Sequence, residues 1–161
     1  MSQERSVGGI EIATVSGAVV VGNDRSDDAL AAAEWALEDA ERRGVRLVVL
    51  RAWSITNAPR PAGSEHGYVP SEDEFVDAVR EEMASDLAAV LESGSAEVTL
   101  MPAHCSAEDA LVEASKHAAL TVVGARGRGL ARWLGSVSTA VVRASHGPVA
   151  VIPGRGERGA H

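Results

Sequence analysis

Five short blocks along the chain are dominated by apolar residues, and the stretches between them carry helical spacing. Ala18-Val19-Val20-Val21, residues 46–52 (RLVVLRA), residues 96–101 (AEVTLM), Leu120-Thr121-Val122-Val123 and Val149–Ile152 form the blocks. Runs that short, with little polar alternation, suit strands buried on both faces. After the first block Ser26 stands as an N-cap ahead of Asp27 and Asp28. Leu30, Ala33, Leu37 and Ala40 then recur at helical spacing, and Gly44 closes the helix at a C′ position. Ser71 and Glu74 have capping-box spacing, Val76, Val79, Met83, Leu87 and Leu91 form the stripe behind them, and Gly94 ends that helix. Ser106 with Asp109 opens a third helix over Ala107, Ala110, Leu111, Ala114 and Ala118. Val137, Ala140, Val141 and Ala144 mark a fourth, stopped by Gly147 and Pro148.

Residues 54–70 hold three Pro, two Gly and few large apolar side chains, so a long surface loop is expected there. Residues 1–16 are polar and irregular and read as a loosely held leader. Residues 154–161 are Gly- and Arg-rich and read as a disordered tail, leaving 17–153 as the domain. Strands alternating with helices predict an α/β fold, with a five-stranded, mainly parallel sheet and helices on both faces. In such a sheet a ligand sits outside the carboxyl ends of the strands, where the strand order reverses. Three places are therefore candidates: residues 22–26, residue 52 onward, and residues 124–136.

Composition narrows the class. Of 161 residues, 28 are Ala and five are aromatic, so the core rests on Val, Leu and Ala in regular elements. No apolar run approaches the roughly 18 residues of a membrane helix, and the first 20 residues lack the pattern of a secretory signal. A single cysteine, Cys105, excludes an internal disulfide framework and fits a reducing, cytoplasmic setting.

Charge is unevenly spread. The net value is −8, yet residues 124–161 hold six Arg against one Glu. A chain this acidic is a poor partner for nucleic acid, but its basic end can hold a small anion. Ordinary solvated charge is the competing reading of those arginines.

The segment from Gly124 to Ser138 (GARGRGLARWLGSVS) leaves a strand, turns through glycines and enters a helix at Gly135-Ser136. Glycines admit positive φ and let backbone N–H groups approach an anion. The first turn, Ser136 to Ser138, offers free N–H groups, hydroxyls and the positive end of a helix dipole, with Arg126 and Arg128 nearby. Two readings stand side by side: a phosphate site, or a Gly-rich turn with Ser136 as plain N-cap.

Asp24 also has two readings. It can accept from a ribose hydroxyl or hold Mg²⁺ beside phosphates, or it can hydrogen-bond its own backbone at a helix start. Other sites fail on residue type. The lone lysine, Lys116, precedes His117, so no Walker A loop exists. The first strand–helix turn (Gly-Asn-Asp-Arg-Ser) lacks the dinucleotide glycines, and Gly135 adjoins Ser136, which excludes a nucleophile elbow. The histidines show no metal spacing. His104-Cys105 could form an activated thiol, but no third group orients it.

From Ser16 to Pro153 the chain resembles the universal stress protein family, in AVVVGNDRSDDALAAAEWALEDAERRG and in LTVVGARGRG with LGSVSTAVVRASHGPVAVIP. The resemblance implies a five-stranded parallel sheet and a homodimer formed through strand 149–152. It implies an adenine nucleotide, ATP first and ADP or AMP as alternatives, with or without Mg²⁺, serving a stress-response regulator or signalling module. Residue by residue it gives Gly124 and Gly127 the roles of the first loop glycines. Gly135 and Ser136 match the closing pair, Val137 and Ser138 lie beneath the phosphates, and Arg126 adds charge. It also places Asp24 near ribose and adenine, and Ala52 at the adenine edge. No catalytic residue and no metal ligand is implied, and hydrolysis would be incidental because no general base is positioned.

Three departures mark this sequence. Seven residues separate Gly127 from Gly135, two fewer than the family pattern. Arg25 stands where Gly is usual, able either to clamp phosphate or to fill the site. The segment Pro102–Ser106 lacks a usual Gly. A dimeric interaction module with a degenerate loop is the alternative function, and a nucleotide-processing enzyme is the more distant one.

Overall fold

The computed structural model describes residues 6–7, 9–126 and 134–154. Five parallel strands make the central sheet: β3 (Val19–Gly22), β4 (Leu47–Ala52), β5 (Val98–Ala103), β6 (Leu120–Gly124) and β7 (Val149–Ile152), in the order β5-β4-β3-β6-β7. The register aligns Val19 with Leu47 on one side and with Leu120 on the other. Order therefore reverses between β3 and β6. Right-handed crossovers then send the helices of the two halves to opposite faces.

Helices α2 (Asp27–Arg43), α3 (Glu72–Asp86) and α4 (Ala88–Glu92) cover the face onto which Val19, Val21, Val49 and Val122 project. Helices α5 (Ala107–Ser115) and α6 (Ser136–Ala144) cover the other face, against Val20, Val48, Leu50 and Val123. Neighbouring strand residues bury on opposite sides, which is why the apolar runs show no alternation.

The α2 stripe is almost entirely alanine: Ala29, Ala32, Ala33, Ala36 and Ala40 with Leu37 are buried. Small side chains let the helix axis approach the sheet closely. Leu30, expected in that stripe, is 38% exposed, because the true stripe begins one residue earlier at Ala29. Ser26 caps α2 by accepting from Ala29 N–H, and Gly44 ends it at φ 68°.

The expected helix from Ser71 to Gly94 breaks at Leu87 (φ −103°, ψ 8°) into α3 and α4. The break adjoins Asp86, whose carboxylate is held by two arginines described below. The Ser71–Glu74 capping box is formed in both directions.

The leader is not loosely held over its described part. Ser6–Val7 (β1) pairs antiparallel with Ile10–Glu11 (β2), and Ile12–Val15 (α1) follows. Ile10 and Val15 are fully buried in the α5-side core. Two apolar side chains in a polar stretch suffice to dock it. The expected tail beyond Gly154 lies outside the described residues.

The outer edge of β5 is interrupted at two places. Ala103 C=O bonds inward to Trp53 N–H, so Pro102, one residue before, faces outward and offers no N–H there. Arg80 Nε of α3 donates to the outward Leu100 C=O at 3.5 Å. At the opposite edge, Val149, Ala150 and Val151 of β7 are half-buried.

Candidate functional site

A cleft of about 460 Å³ opens at the carboxyl ends of β3 and β6, where the strand order reverses. That volume lies within the range of small-molecule sites. Leu50, Leu111, Val123 and Ala29 give it an apolar floor. Gly22, Asn23, Asp24 and Ser26 form one wall, and Gly135, Ser136, Val137 and Ser138 form the other, with Ala52, Ala107, Gly124 and Arg126 at the margins. The structure thus brings Asp24, Ala52, Gly124, Arg126, Gly135, Ser136, Val137 and Ser138 around one space. Gly127, with Arg128 and Arg132, lies outside the described residues.

Gly135, not Ser136, is the N-cap of α6, and no side chain caps it. The first helical bond runs from Thr139 N–H to Gly135 C=O, so the N–H groups of Ser136, Val137 and Ser138 have no intrahelical acceptor. With the positive end of the helix dipole they make a wall of donors of the kind that suits an anion. The two serines divide the work. Ser138 is buried, its Oγ 3.0 Å from the carbonyls of both Ala125 and Gly135, and so fixes the loop. Ser136 is exposed at the cleft. Gly135 N–H also donates to Ala125 C=O at 2.8 Å, drawing the start of α6 toward the end of β6.

Gly124 serves close approach rather than positive φ. A β-carbon there would stand 2.9 Å from the Asp28 carbonyl carbon and 3.0 Å from its oxygen, inside the first turn of α2. Asp28, which the sequence marks only as a helix-dipole residue, is also a partner of Arg126. Its Oδ2 accepts from Arg126 N–H at 3.0 Å and lies 3.8 Å from Arg126 Nε. Arg126 therefore reaches the cleft with its charge shared with Asp28.

Asp24 takes up its local bond: Oδ1 accepts from Ser26 N–H at 3.0 Å. It also lines the cleft, exposed, and its second oxygen has no partner among the described residues. The local backbone reading is thus observed, and the second oxygen is left available at the cleft wall.

Arg25 neither clamps the cleft nor fills it. It adopts φ 70°, a left-handed conformation costing a residue with a β-carbon about 1 kcal/mol, which explains why a glycine suits the position. Its guanidinium turns to α3, with Nη1 2.6 Å from Glu82 Oε1 and Nε 3.1 Å from Asp86 Oδ2. Arg51, 5% exposed on β4, joins the same cluster: Nη2 lies 3.1 Å from Asp86 Oδ2, and Nη1 3.5 Å from Glu82 Oε2. Nε and Nη2 of Arg51 both donate to Asn23 Oδ1, the former at 3.1 Å. Two cations thus balance two carboxylates beside the strand end that carries Asp24.

The His104–Cys105 pair is not an activated thiol. The His104 ring stacks on Trp53 with centroids 4.1 Å apart, and its Nδ1 lies 3.4 Å from Glu72. Burial, aided by the Asp109 charge, pushes the Cys105 thiol above its usual value, which opposes thiolate formation.

A family model described as the universal stress protein family matches residues 17–153. The chain belongs to the universal stress protein family. A universal stress protein of Mycobacterium tuberculosis is 32% identical over 152 residues, covering 84% of this chain and 47% of the relative. The chain spans about half the length of the curated relatives it matches. Among solved structures, a universal stress protein in complex with cAMP is 27% identical with TM-score 0.60, over 87% of this chain and 98% of that one. The universal stress protein UspA from Lactobacillus plantarum is 23% identical with TM-score 0.63, over 84% and 97% respectively, and shares the fold.

Proposed function

We propose that the cleft binds an adenine nucleotide, ATP first, and that the protein is a cytoplasmic stress-response regulator or signalling module. The observation that carries this is the polarity of the cleft. One wall is all donors, the first-turn N–H groups of α6 with Arg126 beside them. The other presents an acceptor, the Asp24 carboxylate, which repels phosphate and suits a hydroxyl or amino donor. The floor between them is apolar and suits a flat base. A nucleotide laid with phosphates at α6 and ribose toward Asp24 satisfies all three. The likeness to a family member solved in complex with cAMP supports an adenine ligand. Ala52, at the strand end, then borders the base.

Asp24 is the one carboxylate among the described lining residues, so with the ribose toward it a Mg²⁺ accompanying a triphosphate would take its oxygens from the phosphates and water. The half-buried edge of β7, residues 149–152, is the surface through which two copies would pair as a homodimer.

The test begins with the purified protein, denatured and assayed for released nucleotide. Calorimetric titration with ATP, ADP, AMP and cAMP follows. Saturable binding of at least one supports the reading. No heat at high protein concentration and no released nucleotide would replace it with the dimeric interaction module, in which the shortened Gly127–Gly135 spacing no longer serves a ligand.

A further inference from the structure

We infer that Arg25 is a positioning residue, which sets the Asp24 carboxylate to recognise a ribose hydroxyl through an ion cluster on the far side of the sheet from α5 and α6. The inference rests on the nucleotide reading above and deepens it. Asp24 lies between two anchored neighbours. Asn23 before it is buried, with its N–H bonded to Leu50 C=O at 2.9 Å and its side chain held by Arg51. Arg25 after it is the one non-glycine residue with positive φ among the described residues. A left-handed arginine persists only where its surroundings over-determine it. Here they do so through Glu82 and Asp86 of α3, at 2.6 and 3.1 Å.

Asp86 Oδ2 is shared between Arg25 and Arg51, so Arg25 is tied directly, and Asn23 through Arg51, to one carboxylate of α3. Glycine at position 25 would relax the backbone but cut the tie on the C-terminal side. The cluster is therefore unnecessary for making the turn. What it adds is a fixed setting for Asp24, which lines the cleft with one carboxylate oxygen still unpartnered among the described residues.

The test compares affinities for ATP and for its 2′-deoxy and 3′-deoxy analogues in wild type, Arg25→Gly, Asp24→Ala and the double variant. Wild type should prefer ATP over at least one deoxy analogue by about tenfold, the scale of a hydrogen bond to a charged group. Arg25→Gly should stay folded, with a thermal midpoint within a few degrees of wild type, yet lose most of that preference. Asp24→Ala should lose it too, and the double variant should lose no more than either single one. A merely structural arginine would weaken all three ligands alike and leave the ratio unchanged. An unchanged ratio in Arg25→Gly, or additive losses in the double variant, would overturn the inference while the nucleotide reading stands. Wild type binding no nucleotide would remove both.

Discussion

Replacing Ser136 by Asp separates the helix role of the α6 N-terminus from its proposed ligand role, because the two respond with opposite sign. Ser136 is the first residue of α6, is exposed, and lines the cleft. No acidic residue occupies that first turn at present. In the free protein a carboxylate there meets the positive end of the helix dipole and should stabilise the fold by about 0.3–1 kcal/mol. In the complex the same carboxylate would stand about 5 Å from a phosphate on the Ser136–Ser138 N–H groups. With an effective dielectric of about 20 to 80, between a protein surface and water, the repulsion is about 1–3 kcal/mol per phosphate charge. That corresponds to a loss of roughly 5- to 150-fold in affinity. Calorimetric titration with ATP at low salt, paired with thermal denaturation, reads both effects. Ser136→Asn, which keeps size and polarity without charge, should bind within about threefold of wild type. Adenosine, which has no phosphate, should bind Ser136→Asp as it binds wild type, and the ATP loss should shrink at high salt as screening shortens the interaction. A folded Ser136→Asp protein that binds ATP as tightly as wild type would refute the placement of phosphate at α6.

Gly124→Ala should destabilise by about 1–3 kcal/mol in urea denaturation, since the added carbon meets Asp28 backbone rather than a movable side chain. Arg51→Met should cost about 3 kcal/mol in the same assay, at the low end for a broken buried pair because Glu82 and Asp86 still reach solvent. The Glu74 carboxyl is held below its ordinary 4.5, first by Ser71 N–H and then by the Tyr68 hydroxyl. A carboxylate depressed on folding contributes stability above its unfolded value and loses it as pH falls through the folded one. Glu74→Gln should therefore flatten the acid limb of stability below about pH 4.5 and leave its slope near pH 7 unchanged. Cys105, raised by burial from 9.0, should alkylate slowly at pH 7 and still be accelerating above pH 9; a plateau near neutrality would contradict the burial argument.

The strands and most helix starts were legible because each rests on a local signal: an uninterrupted apolar run, or a serine three residues ahead of an N–H it caps. The α2 stripe was less so. Alanine carries little hydrophobic contrast, and the larger Leu30 drew the face one residue off. Ile10 and Val15 gave too few apolar positions to show that the leader docks. At the site, Asp24, Gly124 and the start of α6 follow from the rule that places ligands where strand order reverses. What escaped were contacts between distant residues: Asp28 with Arg126, 98 residues apart, and Arg51 with Asp86, 35 apart. One signal for the second pair was present. Arg51 lies inside a run predicted to be buried on both faces, and a buried guanidinium requires partners.

The two ends of the sheet are unlike, and that difference would limit how far an assembly built through β7 could grow. At β5 the outward backbone lacks one N–H at Pro102 and has one carbonyl occupied by Arg80, while β7 carries neither device. Two copies joined β7 to β7 would make one continuous ten-stranded sheet whose ends are both β5. A pairing that used the open edge of each molecule would expose only the interrupted edges, and so would tend to terminate itself. In such a dimer, chain-to-chain extension into filaments, the usual hazard of an exposed strand, would be disfavoured beyond the second subunit.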